Sequence, residues 1–169
     1  MIKIICIGKL KEKYLKEAID DYLKRISKYH KIETIELPDS NIVDEGENIL
    51  KYINQKDYII SMCIEGNELS SIELSDKIDK TFITNPCITF IIGGSDGIRE
   101  DIKEKSNYKL SFSKLTYPHG LFRLILLEQI YRSFKILNNE AYHKYVKNEN
   151  REFKIRWSSN ISSNGWSMQ

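Results

Sequence analysis

Three short runs rich in isoleucine, separated by stretches with helical periodicity, constrain the fold of this chain more than any other feature. The runs at 2–7, 57–64 and 87–92 are apolar along most of their length. A strand that is apolar on nearly every residue, rather than on alternate ones, is typical of a parallel strand buried on both faces. Parallel strands are joined through helices that cover the sheet. The sequence therefore predicts an α/β fold with a mostly parallel sheet flanked by helices.

The remaining elements follow from apolar periodicity and from helix start signals. Apolar residues at helical spacing predict amphipathic helices, and alternation of apolar and charged residues predicts a half-buried strand. Ser70 and Glu73 fit a capping box, in which a serine hydroxyl and a glutamate carboxylate satisfy free amides at a helix start. The predicted elements are helices over 10–28, 44–53, 70–82 and 119–137, a short helix that ends near 105, and strands over 32–37 and 108–112.

The predicted helix over 119–137 is apolar around most of its circumference. Such a helix must be buried on more than one side. In a domain this small, a partner subunit is a natural second cover, so the helix favours a homodimer.

The composition is that of an ordinary globular domain. The 169 residues are 41% hydrophobic and 30% charged, and no apolar run approaches the ~20 residues that a membrane span needs. The N-terminal run is too short for a signal peptide. Cys6, Cys63 and Cys87 each lie in an apolar run, without the spacing of metal ligands. We therefore expect a cytoplasmic protein with reduced, core-packed thiols, no membrane partner and no metal.

The net charge of +2 is distributed unevenly along the chain. Residues 1–144 hold 22 basic and 22 acidic side chains, so this part has no net charge. Within it, residues 103–144 hold 8 basic and 3 acidic side chains. A neutral body argues against strong nonspecific RNA binding, because few phosphates would be neutralised.

Two polar loops follow apolar strands, which is where parallel α/β sheets bind their ligands. The first loop, 92–97, contains three glycines, which let a backbone approach a ligand closely; the second is 112–119. The first loop matches neither the P-loop nor the dinucleotide pattern. It does match Gly-x-Ser-x-Gly around Ser95, and Asp101 and His119 follow in the order of a serine hydrolase. A serine hydrolase therefore stays open as an alternative.

Six separated motifs share an order and a spacing that extend over residues 1–144. They are ICIGKLKEKY (5–14), IIGGSDG (91–97), LSFSKLTYPH (110–119), Arg123, LEQIYR (127–132) and YHK (142–144). Together they resemble the RlmH family, the bacterial ribosomal RNA large-subunit methyltransferases of the SPOUT class. A match of several motifs is far more specific than any one of the patterns above.

The resemblance implies a SPOUT-type α/β knot, with a C-terminal trefoil knot, and a homodimer. It implies S-adenosylmethionine as methyl donor, without a metal. The implied substrate is N3 of a pseudouridine in helix 69 of 23S rRNA, presented by the assembled ribosome. A ribosome-binding protein without catalytic activity is the second alternative.

The resemblance also assigns candidate site residues. His119 and Arg123 would orient or polarise the target base, and Tyr142 and His143, contributed by the dimer partner, would complete the pocket. The cofactor-contacting positions are Met62, Gly93, Phe112, Ser113, Lys114, Leu115, Thr116 and Tyr117.

The chain departs from the family at its C-terminus. Relatives end at or near the Tyr-His-Lys/Arg motif, whereas here 25 residues follow it. We therefore predict a methyltransferase domain over 1–144 and an atypical, flexible extension over 145–169. A smaller departure is Cys63, where relatives tend to carry glutamate.

Overall fold

A computed structural model describes residues 1–147 and 153–156, and its centre is a five-stranded, all-parallel sheet. The strands are β1 (Ile2–Ile7), β2 (Ile32–Leu37), β3 (Asp57–Glu68), β4 (Cys87–Ile92) and β5 (Tyr108–Ser111). The helices are α1 (Lys13–Ile26), α2 (Ile42–Leu50), α3 (Ser71–Thr84), α4 (Glu100–Lys105) and α5 (His119–Leu137). The strand order is β2-β1-β4-β3-β5. The predicted α/β fold with a mostly parallel sheet flanked by helices is confirmed.

The sheet is buried on both faces, as its isoleucine-rich strands predict. On one face, Ile4 and Phe90 pack with apolar residues of α1, α3 and α5. On the other face, Ile5 and Ile91 pack with Ile49 of α2 and with residues around α4. The sheet therefore separates two apolar layers, and successive residues of β1 and β4 serve opposite layers.

Helix α5 obtains most of its cover within the chain. It packs on both α1 and α3 as well as on the sheet, and eight of its residues are buried. The predicted burial on more than one side is confirmed. Leu121 stays 40% exposed near the start of α5, and cover by a partner subunit remains a prediction.

Two helices begin at capping residues. The capping box at Ser70 and Glu73 is present, with both of its reciprocal hydrogen bonds. Helix α2 starts two residues before the predicted bound, because the Asn41 side chain accepts hydrogen bonds from the amides of Val43 and Asp44, both at 3.0 Å. Asparagine is a favoured cap, and the sequence prediction overlooked it.

A buried ion pair lies at the opposite end of the sheet from the loops named above. The ammonium of Lys3 lies 3.0 Å from Asp57 Oδ2, and both side chains are almost fully buried. Thr89 and the amide of Asn54 also donate to this carboxylate. Burial by itself raises the pKa of Asp57, but these three donors outweigh it and hold that pKa below its ordinary value.

We expect this pair to make stability depend on acidity. The pKa of Asp57 is lower in the folded state than in the unfolded state, where it is about 3.9. The stabilisation that ionised Asp57 contributes is therefore fully present above the unfolded-state pKa, and it is lost as the pH falls through the folded-state pKa. Asp57→Asn should lower the free energy of unfolding by about 2 kcal/mol at pH 7. The difference in this free energy between variant and parent should become smaller toward pH 3. Urea unfolding at several pH values measures the difference, and Asp79→Asn, at an exposed position, is the control. A difference that stays constant with pH would contradict the expectation.

The described part of the C-terminal segment forms a separate pair of antiparallel strands, β6 (Lys144–Lys147) and β7 (Phe153–Arg156). The rest of the predicted flexible extension over 145–169 lies outside the described residues. The C-terminal trefoil knot stays a prediction. Within the described residues, none of the helices has the length and apolar character needed to cross a membrane.

Candidate functional site

A cavity of about 210 Å³ opens at the ends of β4 and β5, beside residues 62–65 of β3. The rest of its lining comes from the loops that follow β4 and β5, from Lys103 of α4 and from the start of α5. These are the loops that the sequence singles out. Most of the lining side chains are apolar, including Met62, Ile92, Leu110 and Phe122.

The wall contributed by β3 depends on a bulge. Both Met62 and Asn67 align with Leu110 of β5, so the residues between them leave the regular ladder. This explains why β3 runs to residue 68, four residues beyond the predicted strand. A side chain on Gly66 would place its Cβ 2.7 Å from backbone atoms of Leu110, so only glycine fits there. Bulges of this kind often shape functional sites.

The glycine loop, residues 92–97, folds tightly against its own backbone where it lines the cavity. A Cβ on Gly93 would lie 2.3 Å from the carbonyl oxygen of Gly97, which real structures do not tolerate. Gly97 itself has a φ of +82°, a conformation that suits glycine. The loop after β4 is therefore a tight turn that brings bare backbone to the edge of the cavity.

A buried glutamate of helix α2 packs against this loop. Glu45 is 3% exposed and accepts a hydrogen bond from the amide of Ser40. A Cβ on Gly94 would lie 2.8 Å from its carboxylate. Burial raises the pKa of Glu45, and the nearby Asp39 and Asp96 raise it further. The carboxyl packs directly against the loop that lines the cavity.

Arg99 ties the same loop to α2 and α4. Its guanidinium pairs with Asp101 at 2.6 Å and with Glu47 at 2.8 Å, and it donates to the carbonyl of Val43. It lies over Gly46, where a Cβ would be 2.6 Å from the Arg99 Nε. Helix α2 thus contacts the glycine loop at Gly94 and holds Arg99, two residues beyond the loop.

Short polar contacts shape the loop after β5. The hydroxyl of Ser111 donates to the carbonyl of Ser113, and the hydroxyl of Ser113 accepts from the amide of Leu115. Phe122 of α5 packs on Phe112 and on Tyr117, with ring centres 5.3 and 5.9 Å apart. The loop is therefore folded against the first turn of α5.

The structure places seven of the eight predicted cofactor positions on this cavity. They are Met62, Gly93, Phe112, Ser113, Leu115, Thr116 and Tyr117. Lys114 is exposed and is not part of the lining. Whether these positions hold the cofactor stays a prediction.

The cavity lining contains an ion pair that the sequence patterns do not predict. Lys103 of α4 and Glu65 of β3 both line it, and their charged groups lie 2.6 Å apart. No local pattern links two residues 38 positions apart, so only the fold shows this pair. The Glu65 contact raises the pKa of Lys103.

The four predicted catalytic residues do not lie together within one chain. His119 lines the cavity and is exposed. Arg123 is buried on the other side of α5, where it pairs with Glu36 at 2.7 Å. It also donates to the carbonyls of Ile7, at 2.7 Å, and Gly8, at 2.5 Å. Arg123 therefore contacts the turn after β1 and not the cavity lining.

Tyr142 and His143 lie beside the middle of α5. The Tyr142 hydroxyl donates to Glu128 at 3.1 Å, and Arg132 contacts the Nδ1 of His143 at 3.0 Å. Burial lowers the pKa of His143 and Arg132 lowers it further, while Glu128 opposes them. Neither Tyr142 nor His143 is part of the cavity lining in this chain.

The serine hydrolase alternative fails on the geometry of Asp101. Both oxygens of its carboxylate are bound by Arg99, at 2.6 and 2.9 Å. It is therefore not available to orient His119, as a triad would need. Among the described residues, histidine, cysteine and acidic side chains form no group of three or more that could hold a metal ion.

Known proteins resemble this chain over the same region. Residues 1–143 match the family described as "Predicted SPOUT methyltransferase". The chain is 47% identical to ribosomal RNA large subunit methyltransferase H 1 of Clostridium perfringens strain SM101, over 85% of this chain and 99% of that protein. It is also 47% identical to ribosomal RNA large subunit methyltransferase H of Clostridium botulinum strain 657, with the same coverage.

A solved structure resembles the fold as well. It is described as a probable methylase family protein from Haemophilus influenzae Rd KW20. The TM-score is 0.51 at 13% sequence identity, and the match covers 88% of this chain and 72% of that one. This likeness supports the fold of the sheet and its helices.

Proposed function

The chain belongs to the SPOUT methyltransferases, within the ribosomal RNA large subunit methyltransferase H family, and we propose from this premise how it acts. It is an rRNA methyltransferase. The proposed cofactor is S-adenosylmethionine, which proteins of this class generally use. The proposed target is N3 of a pseudouridine in helix 69 of 23S rRNA, within the assembled ribosome.

One observation carries the proposal most directly: the ends of β4 and β5 and the bulge of β3 line a single cavity, and this lining includes seven of the eight positions that the family resemblance assigns to the cofactor. Its apolar walls, including Met62 and Leu110, suit an adenine ring and the aliphatic part of a methionine chain. The glycine loop brings backbone donors and acceptors to the edge, and Lys103 with Glu65 adds charged groups for an amino-acid moiety. The residues present therefore fit S-adenosylmethionine, which when bound supplies an electrophilic methyl group.

The chemistry of the target sets what the protein must do. The neutral imide at N3 is a poor nucleophile, so its proton must leave before or during attack. Holding the base in line with the methyl group supplies much of the rate, and donors near the ring oxygens stabilise the developing charge. His119 lines the cavity, and we assign it the role of orienting the base. Arg123 holds the turn after β1, so we assign it a positioning role.

A homodimer completes the proposal. Tyr142 and His143 do not line the cavity of their own chain, and in the proposed dimer they reach the cavity of the partner subunit. Tyr14 near the start of α1 is 69% exposed and Leu121 near the start of α5 is 40% exposed. These exposed apolar side chains on two helices that pack together support a second copy as their cover.

We expect saturable binding of S-adenosylmethionine by the full chain in a calorimetric titration. Ribosomes that lack the N3 methyl group should then accept one methyl group each from labelled cofactor, and fully methylated ribosomes should accept none. Mass spectrometry of the helix 69 fragment locates the product. Ribosome binding without cofactor binding would instead establish the non-catalytic alternative.

We also propose that residues 1–144 form the methyltransferase domain. The same titration on a chain that ends at Lys144 tests this division. Cofactor affinity within about twofold of the full chain supports it, and a lost or much weaker affinity contradicts it.

A further inference from the structure

We infer that Lys103 and Glu65 select the ligand of the cavity by its α-amino-acid group, with Lys103 binding the carboxylate and Glu65 binding the ammonium. The inference rests on the proposed function and deepens it, since it names the part of S-adenosylmethionine that these two residues recognise. It also predicts which related nucleosides the cavity rejects, namely those that lack one or both charges of the amino-acid group.

The cavity offers one pair of opposite charges. Apart from His119, the described residues that line it include one basic side chain, Lys103, and one acidic side chain, Glu65. The other lining residues are apolar, glycine, cysteine or hydroxyl-bearing. An α-amino-acid group carries one carboxylate and one ammonium, and charges that leave water for a partly enclosed site need partners there. Lys103 and Glu65 are therefore the partners that the lining provides for these two groups.

The two residues belong to separate elements that meet at the cavity. Glu65 lies in the bulge of β3, and Lys103 lies on α4 beside the buried Ile102. The Lys103 ammonium lies 2.6 Å from the Glu65 carboxylate and 3.3 Å from that of Glu100. The Lys103 side chain is only 16% exposed. Two carboxylates therefore hold its ammonium at the cavity before a ligand enters.

Both members of the pair are charged at neutral pH. The hydrogen bond from Lys103 lowers the pKa of the Glu65 carboxyl, and Glu65 in turn raises the pKa of Lys103. An amino-acid group can therefore exchange partners with the pair, because its carboxylate accepts from Lys103 and its ammonium donates to Glu65. Two ion pairs then replace one, and neither charge of the amino-acid group is left without a partner.

A ligand that lacks one or both of these charges fits the site less well. A ligand with the ammonium but without the carboxylate brings a second positive charge toward Lys103. A nucleoside thioether without the amino-acid group, such as 5′-methylthioadenosine, leaves the pair intact but gains neither contact. The pair therefore favours S-adenosylmethionine and S-adenosylhomocysteine over both of these ligands.

Calorimetric titration of the full chain tests this selectivity. The parent should bind S-adenosylmethionine and S-adenosylhomocysteine about 100-fold more tightly than 5′-methylthioadenosine, since each lost hydrogen bond between charged groups costs about 10-fold or more. Lys103→Met should weaken the first two ligands by about 30-fold and leave the third within about threefold. Lys105→Met is the control and should change none of them, because Lys105 is 67% exposed on the same helix and outside the lining.

Decarboxylated S-adenosylmethionine separates recognition of the carboxylate from a structural role of Lys103. The parent should bind it weakly, and Lys103→Met should bind it at least as tightly as the parent, because the repulsion is removed. Glu65 is 55% exposed, so water can solvate it in this variant and the fold should survive. Equal losses for all ligands in Lys103→Met would overturn the inference. A parent that binds 5′-methylthioadenosine as tightly as S-adenosylmethionine would also overturn it, without the need for a variant.

Glu65→Gln tests the other half of the pair. It should weaken S-adenosylmethionine and S-adenosylhomocysteine by the same factor, about tenfold, because both carry the ammonium. A loss confined to S-adenosylmethionine would show that Glu65 faces the sulfonium charge, and it would overturn the assignment of Glu65. A parent chain that binds neither ligand would overturn the proposed function itself, whereas one that binds both without selectivity would overturn only this inference.

Discussion

Replacement of Arg123 by methionine should lower the free energy of unfolding by about 3–5 kcal/mol. The guanidinium is almost fully buried, and it is paired with Glu36 and with the carbonyls of Ile7 and Gly8. Methionine fills much of the volume but leaves a carboxylate and two carbonyl oxygens without this donor. The cost of these unpaired groups exceeds the cost of the lost side-chain packing. Urea unfolding followed by far-UV circular dichroism measures the change.

Two further variants make this expectation specific. Arg123→Lys keeps the charge but has a single donor group, so we expect it to recover only part of the loss. Arg25→Met removes an exposed arginine from an (i, i+4) pair on α1 and should cost less than 1 kcal/mol. A loss below 1 kcal/mol in Arg123→Met would show that the buried contacts do not stabilise the fold. Methylation by Arg123 variants must therefore be compared at equal folded fraction.

Replacement of Gly93 by alanine should weaken S-adenosylmethionine binding by about 100-fold, since a displacement near 1 Å can cost this much in a preorganised site. The new Cβ would lie 2.3 Å from the carbonyl oxygen of Gly97 and 2.9 Å from the side chain of Ile98. The first contact is backbone, which cannot rotate away, so the loop must shift. Calorimetric titration of the folded variant measures the affinity.

Gly97 in the same loop provides the control. No atom lies within 4 Å of a Cβ built there, and its φ of +82° is a conformation that asparagine tolerates better than other residues. Gly97→Asn should therefore retain affinity within about tenfold of the parent. Equal affinity of Gly93→Ala and the parent would contradict placement of the cofactor against this turn.

Much of the sheet could be predicted from the sequence, because its strands are marked by physics that acts locally. Isoleucine runs and helical periodicity located β1, β4 and α5 with their observed bounds. The cavity followed from a topological rule, since the carboxyl ends of parallel strands meet at one edge. The early start of α2 was missed because a single asparagine determines it.

The features that the sequence did not predict depend on contacts between distant parts of the chain. His119 and Arg123 are one turn apart on α5, which suggested a common site, yet Arg123 lies against Glu36 and the turn after β1. The bulge of β3 exists only because Leu110 of β5 pairs on both sides of it. The ion pair of Lys103 and Glu65 has the same origin. Sequence spacing cannot reveal which of two helix faces will meet another strand.

The packing of α5 on both α1 and α3 has a consequence for synthesis on the ribosome. Helix α5 is the last helix of the described chain to leave the exit tunnel, and α1 is the first. Until residue 137 has emerged, the apolar surfaces that α1 and α3 will share with α5 stay exposed to water. A nascent chain that stops short of α5 therefore lacks a closed core, and its exposed apolar surface is a target for chaperones. The domain therefore becomes stable only after α5 has emerged.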